Sequence, residues 1–241
     1  MRESALEIAG LHKSYGKKPV LTGVDLCVEK GEIKGLIGIN GAGKTTLIEC
    51  VCGINPFAEG RIRVEGEDAS SSKGRRRIRA LIGYMPQSFG MFNDLTVREN
   101  LAYLVTVYDI EKARVESCLK ECFLEEMKDC LASRLSGGYK QMLSLACAII
   151  HRPTLLILDE PTVAMDPLFR ERFWRIVKKL NQDGCTILFI THHLEELEKC
   201  DSFACLAEGR IVCDEKLSDL SEKDTRVRDA FLARFFGEEK V

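Results

Sequence analysis

Gly38-Ile39-Asn40-Gly41-Ala42-Gly43-Lys44-Thr45-Thr46 has the spacing GxxxxGK[ST] and stands between an apolar run, Ile33–Ile37 (IKGLI), and the onset of helical patterning at Lys44. That order is what a phosphate cradle requires. The glycines let successive backbone N–H groups curl around phosphate oxygens without a Cβ in the way. The new helix adds its positive N-terminal end. Lys44 is placed to reach the β- and γ-phosphates of a nucleotide, and the Thr45 hydroxyl to ligate Mg²⁺. A glycine-rich turn that opens a helix need not bind anything. The strand–loop–helix context nevertheless makes Gly38, Asn40, Gly41, Ala42, Gly43, Lys44, Thr45 and Thr46 the candidate nucleotide-binding set.

Outward from the cradle, Leu155-Leu156-Ile157-Leu158-Asp159-Glu160-Pro161 reads as a buried strand ending in two acids. An apolar run without alternation suits a central parallel strand covered on both faces. Ligands of such sheets bind beyond the carboxyl ends of the strands. Asp159 is therefore expected to hold Mg²⁺, through water, and Glu160 to orient or deprotonate an attacking water. Taken alone, the two acids would serve equally well to cap a solvent-facing strand end; the upstream cradle favours the catalytic reading.

The rest of the chain fits an alternating α/β pattern. Short β-like runs are expected at Leu6–Leu11, Val24–Val28 and Ile33–Ile37, then a strand pair around Arg61–Val64 and Leu81–Met85. Thr96–Leu131 is almost wholly helical in pattern and looks like an inserted lobe. Strand and helix then alternate through Thr154–Leu158, Pro167–Gln182, Thr186–Ile190, His193–Cys200, Ser202–Ala207 and Arg210–Cys213, which argues for a mainly parallel sheet. An amphipathic run in Thr225–Val241 is expected to dock as a final helix. The dense basic run Lys73–Arg79 reads as a solvated loop face.

Composition narrows the partners. The chain has 241 residues, 45% of them hydrophobic, enough for one large domain or one with an inserted lobe. With 35 basic against 37 acidic residues, the formal net charge of -2 gives no long-range pull toward nucleic acid or anionic lipid. Eleven cysteines are scattered without a CxxC pair, as expected of buried thiols in a reducing compartment. Cys118 and Cys122 have helical spacing but no second ligand pair nearby. The N-terminal segment has no apolar h-region, and no stretch approaches the ~18 apolar residues that span a bilayer. A cytoplasmic protein is expected, with any membrane role reached through a partner.

Leu135-Ser136-Gly137-Gly138-Tyr139-Lys140-Gln141 opens a second apolar helix with a serine–glycine turn, and so a second phosphate-attracting N-terminus. This segment resembles the LSGGQ signature of ABC transporters, and the chain resembles their ATP-binding subunits over nearly its whole length. The resemblance implies an α/β fold with a P-loop NTPase core, a mainly parallel sheet, an N-terminal antiparallel β subdomain and an inserted α-helical subdomain. It implies a single domain over 1–241, with 1–86 and 154–241 forming the ATP-binding core and about 87–153 the helical signature part. ATP and Mg²⁺ are the implied cofactors. The implied partners are a membrane permease subunit and a second ATPase subunit, not nucleic acid, with the protein held against the inner face of the cell membrane.

The same resemblance assigns roles residue by residue. Ser136, Gly137 and Gly138 would grip the ATP held by the opposite subunit, so that two nucleotides are sandwiched head to tail. Tyr15 would stack on adenine, unless it only packs a strand end, and Val20 would line the same face. Gln87, in GYMPQ, would sense Mg²⁺ and the attacking water. Asp166, in VAMDP, would communicate across the dimer. His192, in ITHH, would contact the γ-phosphate, with His193 as a rival that instead begins the next helix. The segment GMFNDLTVRENL resembles a pattern of exporter-type ATPases, and its Met91, Phe92 and Leu95 either dock a permease helix or pack the lobe internally. Tyr139, Met142 and Val163 depart from the commonest family residues without touching a catalytic position. A transporter motor is thus the leading expectation. A soluble assembly ATPase, as in iron–sulfur cluster biogenesis, is the alternative, and a nucleic-acid-linked ABC protein is less favoured.

Overall fold

Segments that alternate apolar and polar residues and segments that do not build two different sheets in this chain. The computed structural model describes residues 3–163 and 165–219. The chain order begins β1 (Ser4–Tyr15), β2 (Lys18–Glu29), β3 (Ile33–Ile37), α1 (Lys44–Val51), β4 (Glu59–Val64), β5 (Glu67–Asp68), α2 (Ser72–Leu81) and β6 (Ile82–Met85). It continues α3 (Val97–Val107), α4 (Arg114–Glu121), α5 (Gly137–Ile149), β7 (Leu155–Asp159), α6 (Pro167–Gln182) and β8 (Thr186–Thr191). It closes with α7 (Leu194–Leu197), β9 (Ser202–Ala207) and β10 (Arg210–Lys216).

The first sheet is antiparallel, in the order β2-β1-β4-β5. The second has the order β10-β9-β3-β8-β7-β6, parallel except for the edge strand β10. Its central strands are buried at every position, IKGLI, LLILD and TILFIT alike. The reason is that both faces are covered. Leu36, Leu155, Ile157, Leu188 and Ile190 pack toward the antiparallel sheet with α1 and α2. Ile37, Leu156, Leu158, Ile187 and Phe189 pack toward α3, α4, α5 and α6 on the other face. The parallel strands β3, β7 and β8 therefore end side by side, and the glycine loop, Asp159, Glu160 and His192 collect beyond that edge.

The expected P-loop NTPase core, antiparallel sheet and helices are all present, and four local expectations are corrected. The basic run Lys73–Arg79 belongs to α2 rather than a loop. Ser71 caps that helix by accepting a hydrogen bond from the Gly74 N–H (2.9 Å), and Ile78 is driven into the core. The charges stay outside, with Arg77 paired to Glu67 at 2.8 Å. Arg61–Val64 and Leu81–Met85 do not pair; β4 lies in the antiparallel sheet and β6 in the parallel one, with α2 between them. The first two strands run far past the short segments expected, because Tyr15 and Lys18 close a hairpin around Gly16. The helix expected over His193–Cys200 shrinks to α7. The expected final helix in Thr225–Val241 lies outside the described residues.

A Cβ at Gly74 would lie 1.9 Å from the Asp68 carbonyl oxygen, so only glycine lets α2 seat there. Gly74→Ala is expected to destabilise the protein by about 1–3 kcal/mol, measured by urea unfolding, while a neighbouring exposed change such as Arg76→Ala stays within about 0.5 kcal/mol.

Candidate functional site

The loop between β3 and α1 forms the cradle. Gly41 and Gly43 take φ of 83° and 103°, left-handed values that a side chain resists. At Gly43 space is short as well, because a Cβ would meet the Val20 carbonyl oxygen at 3.2 Å. Gly38 is required for a different reason: a Cβ there would lie 2.4 Å from the Leu206 carbonyl oxygen of β9. Ala42 is buried against the core. The Lys44 ammonium donates to Gly38 O (2.6 Å) and Ile39 O (3.2 Å), which holds it across the loop it serves. Burial lowers its pKa, an effect opposed by the nearby Glu160 and Asp159 carboxylates.

Asp159 ends β7 and Glu160 follows it in the left-handed region, with φ of 48°. For a non-glycine residue that conformation costs about 1–3 kcal/mol, and it turns the Glu160 side chain out of the strand. Glu160 Oε2 accepts from Gln87 Nε2 at 2.7 Å, and Oε1 lies 3.0 Å from His192 Nδ1. Three residues distant in sequence thus meet at one carboxylate. Asp159 stays behind it, almost fully buried, accepting from Thr45 Oγ1 at 3.3 Å. Burial, then the neighbouring Glu160 charge, raises the Asp159 pKa above its usual value.

A cavity of about 710 Å³ opens over these groups. Of the candidates, Val20, Asn40, Gly41, Gly43, Lys44, Thr45, Thr46, Gln87, Glu160 and His192 line it. An adjoining cavity brings Thr45, Gln87 and Asp159 together. Tyr15, Ser136, Gly137, Gly138 and Asp166 do not line either one. Tyr15 ends its strand with an exposed ring, Lys13 Nζ lying 4.9 Å from the centroid. Asp166 caps α6, its Oδ1 accepting from the Phe169 N–H at 2.9 Å. Ser136 and Gly137 stand exposed at the start of α5, and Gly138 is buried.

Thr162, Val163, Arg170 and His193 also line the main cavity; the sequence marked His193 as the rival of His192 and Val163 as a departure from the family residue, whereas Thr162 and Arg170 carried no signal of their own. Behind them is a network that is silent in sequence. Glu196 is buried and accepts from the hydroxyls of Thr162 and Thr191, the latter at 2.5 Å. Thr191 Oγ1 in turn accepts from the His193 N–H at 2.9 Å. This fixes the turn that carries His192. His193 packs at a tilt against the His192 ring, with centroids 4.0 Å apart, and is the N-cap of α7.

The donor set suits a hard divalent cation completed by phosphate. Thr45, Gln87 and Asp159 offer oxygen ligands beside the second carboxylate of Glu160. Among the described residues no cluster of three or more His, Cys, Asp or Glu side chains forms an all-protein metal site. Cys118 and Cys122 are buried core thiols. Of the apolar residues after Gln87, Met91 packs on the core, whereas Phe92 is exposed and meets the Tyr103 ring edge-on at 5.1 Å. Met91 also lines a groove of about 280 Å³ with Ile54, Tyr84, Leu104 and Tyr108. Among the described residues no helix is long and apolar enough to cross a membrane.

A glycine cradle facing paired carboxylates at the carboxyl edge of a parallel sheet defines a P-loop nucleotide-binding domain. The chain belongs to the ABC transporter family: the family model of that description matches residues 21–163. It is 36% identical over 222 residues to the probable multidrug ABC transporter ATP-binding protein YbhF of Escherichia coli, covering 90% of this chain and 38% of that protein. It is 39% identical over 219 residues to the Nod factor export ATP-binding protein I of Paraburkholderia xenovorans, covering 89% and 71%. A solved dimeric bacterial ABC transporter cassette superposes with a TM-score of 0.81 at 27% identity, covering 88% of this chain and 98% of that one.

Because the folded state holds the Asp159 proton more tightly than the unfolded chain, this group favours folding at low pH. That contribution is lost as pH rises through the raised pKa. The ionised form of Asp159 is therefore the one that burial and the Glu160 charge disfavour in the folded state. Asp159→Asn is expected to raise the melting temperature of the nucleotide-free protein by a few degrees and to abolish the further rise given by ATP with Mg²⁺. Thermal unfolding with and without the two ligands checks both signs.

Proposed function

We propose that the chain is the ATP-hydrolysing motor subunit of an ABC exporter, acting as a dimer beneath a separate membrane permease on the cytoplasmic side. The observation that carries this reading is the Glu160 carboxylate held between Gln87 and His192 at the mouth of the cradle. The relatives named for multidrug transport and Nod factor export support export over a soluble assembly role.

In this reading the cradle's backbone and Lys44 hold the β- and γ-phosphates, with Val20 and Tyr15 on the adenine side. Glu160 orients a water in line with the γ-phosphorus and accepts its proton as the new P–O bond forms. The bond from that phosphorus to the ADP oxygen breaks, giving ADP and inorganic phosphate. Gln87 holds the water from the other side, and His192 fixes the Glu160 carboxylate and reaches the γ-phosphate. Mg²⁺, held by Thr45, Gln87 and Asp159, would supply neutralisation of the phosphate charge. The site does little covalent chemistry of its own; positioning and electrostatics do the work.

Ser136 and Gly137 lie outside the cavity, at an exposed helix N-terminus. We assign them, with Gly138 behind, to the ATP of the second subunit, and Asp166 to the contact between subunits. The solved dimeric cassette supports that pairing. The segment 87–153 acts as the signature lobe, carrying motion from Gln87 to the permease. The groove bordered by Met91 and Tyr108, with Phe92 beside it, is the docking place for a cytoplasmic helix of the permease.

Glu160→Gln keeps the shape of the site and removes its base. Turnover is expected to fall by about 10²–10⁴-fold while ATP binding persists, and light scattering after gel filtration should find a dimer carrying two nucleotides. A variant that stays monomeric at saturating ATP contradicts the paired reading.

A further inference from the structure

Gly138 sits in the first turn of α5, where glycine is costly in a helix and no left-handed conformation demands it. Ser136 and Gly137 beside it are exposed, but Gly138 is buried. A Cβ built on Gly138 points inward and lands 2.6 Å from Cδ2 and 2.7 Å from Cγ of Phe169. No real side chain fits against a ring at that distance. The same ring meets Tyr139 edge-on, with centroids 4.8 Å apart. Arg172, one turn along α6, lies 5.7 Å from the Phe169 ring and 5.4 Å from that of Phe123, which follows α4.

Phe169 is also tied at its backbone. Its N–H donates to Asp166 Oδ1 at 2.9 Å, so the acid that caps α6 and the ring that touches α5 belong to one rigid turn. From these contacts we infer that Phe169 is a positioning residue which welds the Ser136–Gly138 turn to the Asp166 loop, and that the missing side chain at residue 138 leaves room for this ring. The inference rests on the paired reading for its effect on turnover, because both welded elements face the second subunit there. Movement of the Asp166 loop against a partner then shifts the serine–glycine clamp by the same amount, and the partner's ATP senses it. The packing itself, however, holds within one chain and can be tested there.

A double-mutant cycle on Gly138 and Phe169 decides the matter. Gly138→Ala is expected to lower both melting temperature and kcat, the latter by at least about ten-fold. Phe169→Ala alone is expected to lower kcat by several-fold while single-chain binding of a fluorescent ATP analogue changes less than about two-fold. Phe169→Leu, which refills most of the space, should recover most of that kcat. The combination Gly138→Ala with Phe169→Ala should be more stable than Gly138→Ala alone, because the added methyl takes the place of the ring. If the combined losses in melting temperature simply add, the methyl is not clashing with Phe169 and the inference is wrong. If Phe169→Ala leaves kcat unchanged, or lowers it without recovery in Phe169→Leu, the ring does not position the clamp, which also overturns it. Failure of the dimer reading has a separate signature: Glu160→Gln stays monomeric while the stability cycle still shows relief.

Discussion

Two carboxylates side by side at the end of a buried strand form the constraint around which the chain is organised. Asp159 is almost sealed from solvent, and its pKa is raised by burial and by the charge of Glu160. A protein tolerates such a pair by keeping a proton on it or by answering it with cations. Lys44 supplies one from the facing loop, and a divalent ion held with Thr45 and Gln87 supplies the rest in the proposed function. The parallel sheet makes this possible by ending β3, β7 and β8 together, so that groups more than a hundred residues apart share one edge. The left-handed turn at Glu160 then sends its side chain outward and leaves Asp159 behind.

The second organising fact is the separation of two anion-seeking helix ends. The N-terminus of α1 closes the cavity with its glycine loop, whereas that of α5 stands exposed with Ser136 and Gly137 at its tip. A single nucleotide in the cradle leaves the second end idle in an isolated chain. A two-fold arrangement uses both, and the rigid turn from Asp166 to Phe169 gives such an arrangement a way to pass strain from one site to the other.

The parts of the fold that sequence makes legible are those with one dominant cause. Ile33–Ile37, Leu155–Asp159 and Thr186–Thr191 are mostly apolar because both sheet faces are covered, and the cradle announces itself by glycine spacing. The basic run Lys73–Arg79 misleads because its charges mask a single buried apolar contact, Ile78, and a cap at Ser71. The pairing of β4 and β6 is misread because adjacency in sequence says nothing about which sheet a strand joins. At the site, Gln87, Glu160 and His192, each named from the sequence, are brought into hydrogen-bond contact by the fold. Thr162, Arg170 and the Thr162–Glu196–Thr191 network have no motif, since they matter only through neighbours that are distant in sequence. Phe169 is invisible for the same reason: its importance lies in what it excludes at Gly138.

The central claim is that one chain supplies the cradle and another the serine–glycine clamp of each working site. Complementation measures this directly. Lys44→Ala spoils a cradle and Ser136→Arg spoils a clamp, and each variant alone is expected to be inactive as an ATPase. Mixing them creates pairs in which one site carries both defects and the other carries neither. The account predicts that the mixture of two dead proteins recovers ATP hydrolysis, measured as phosphate release. A mixture that stays as inactive as its components, although mixed pairs are shown to form, contradicts it.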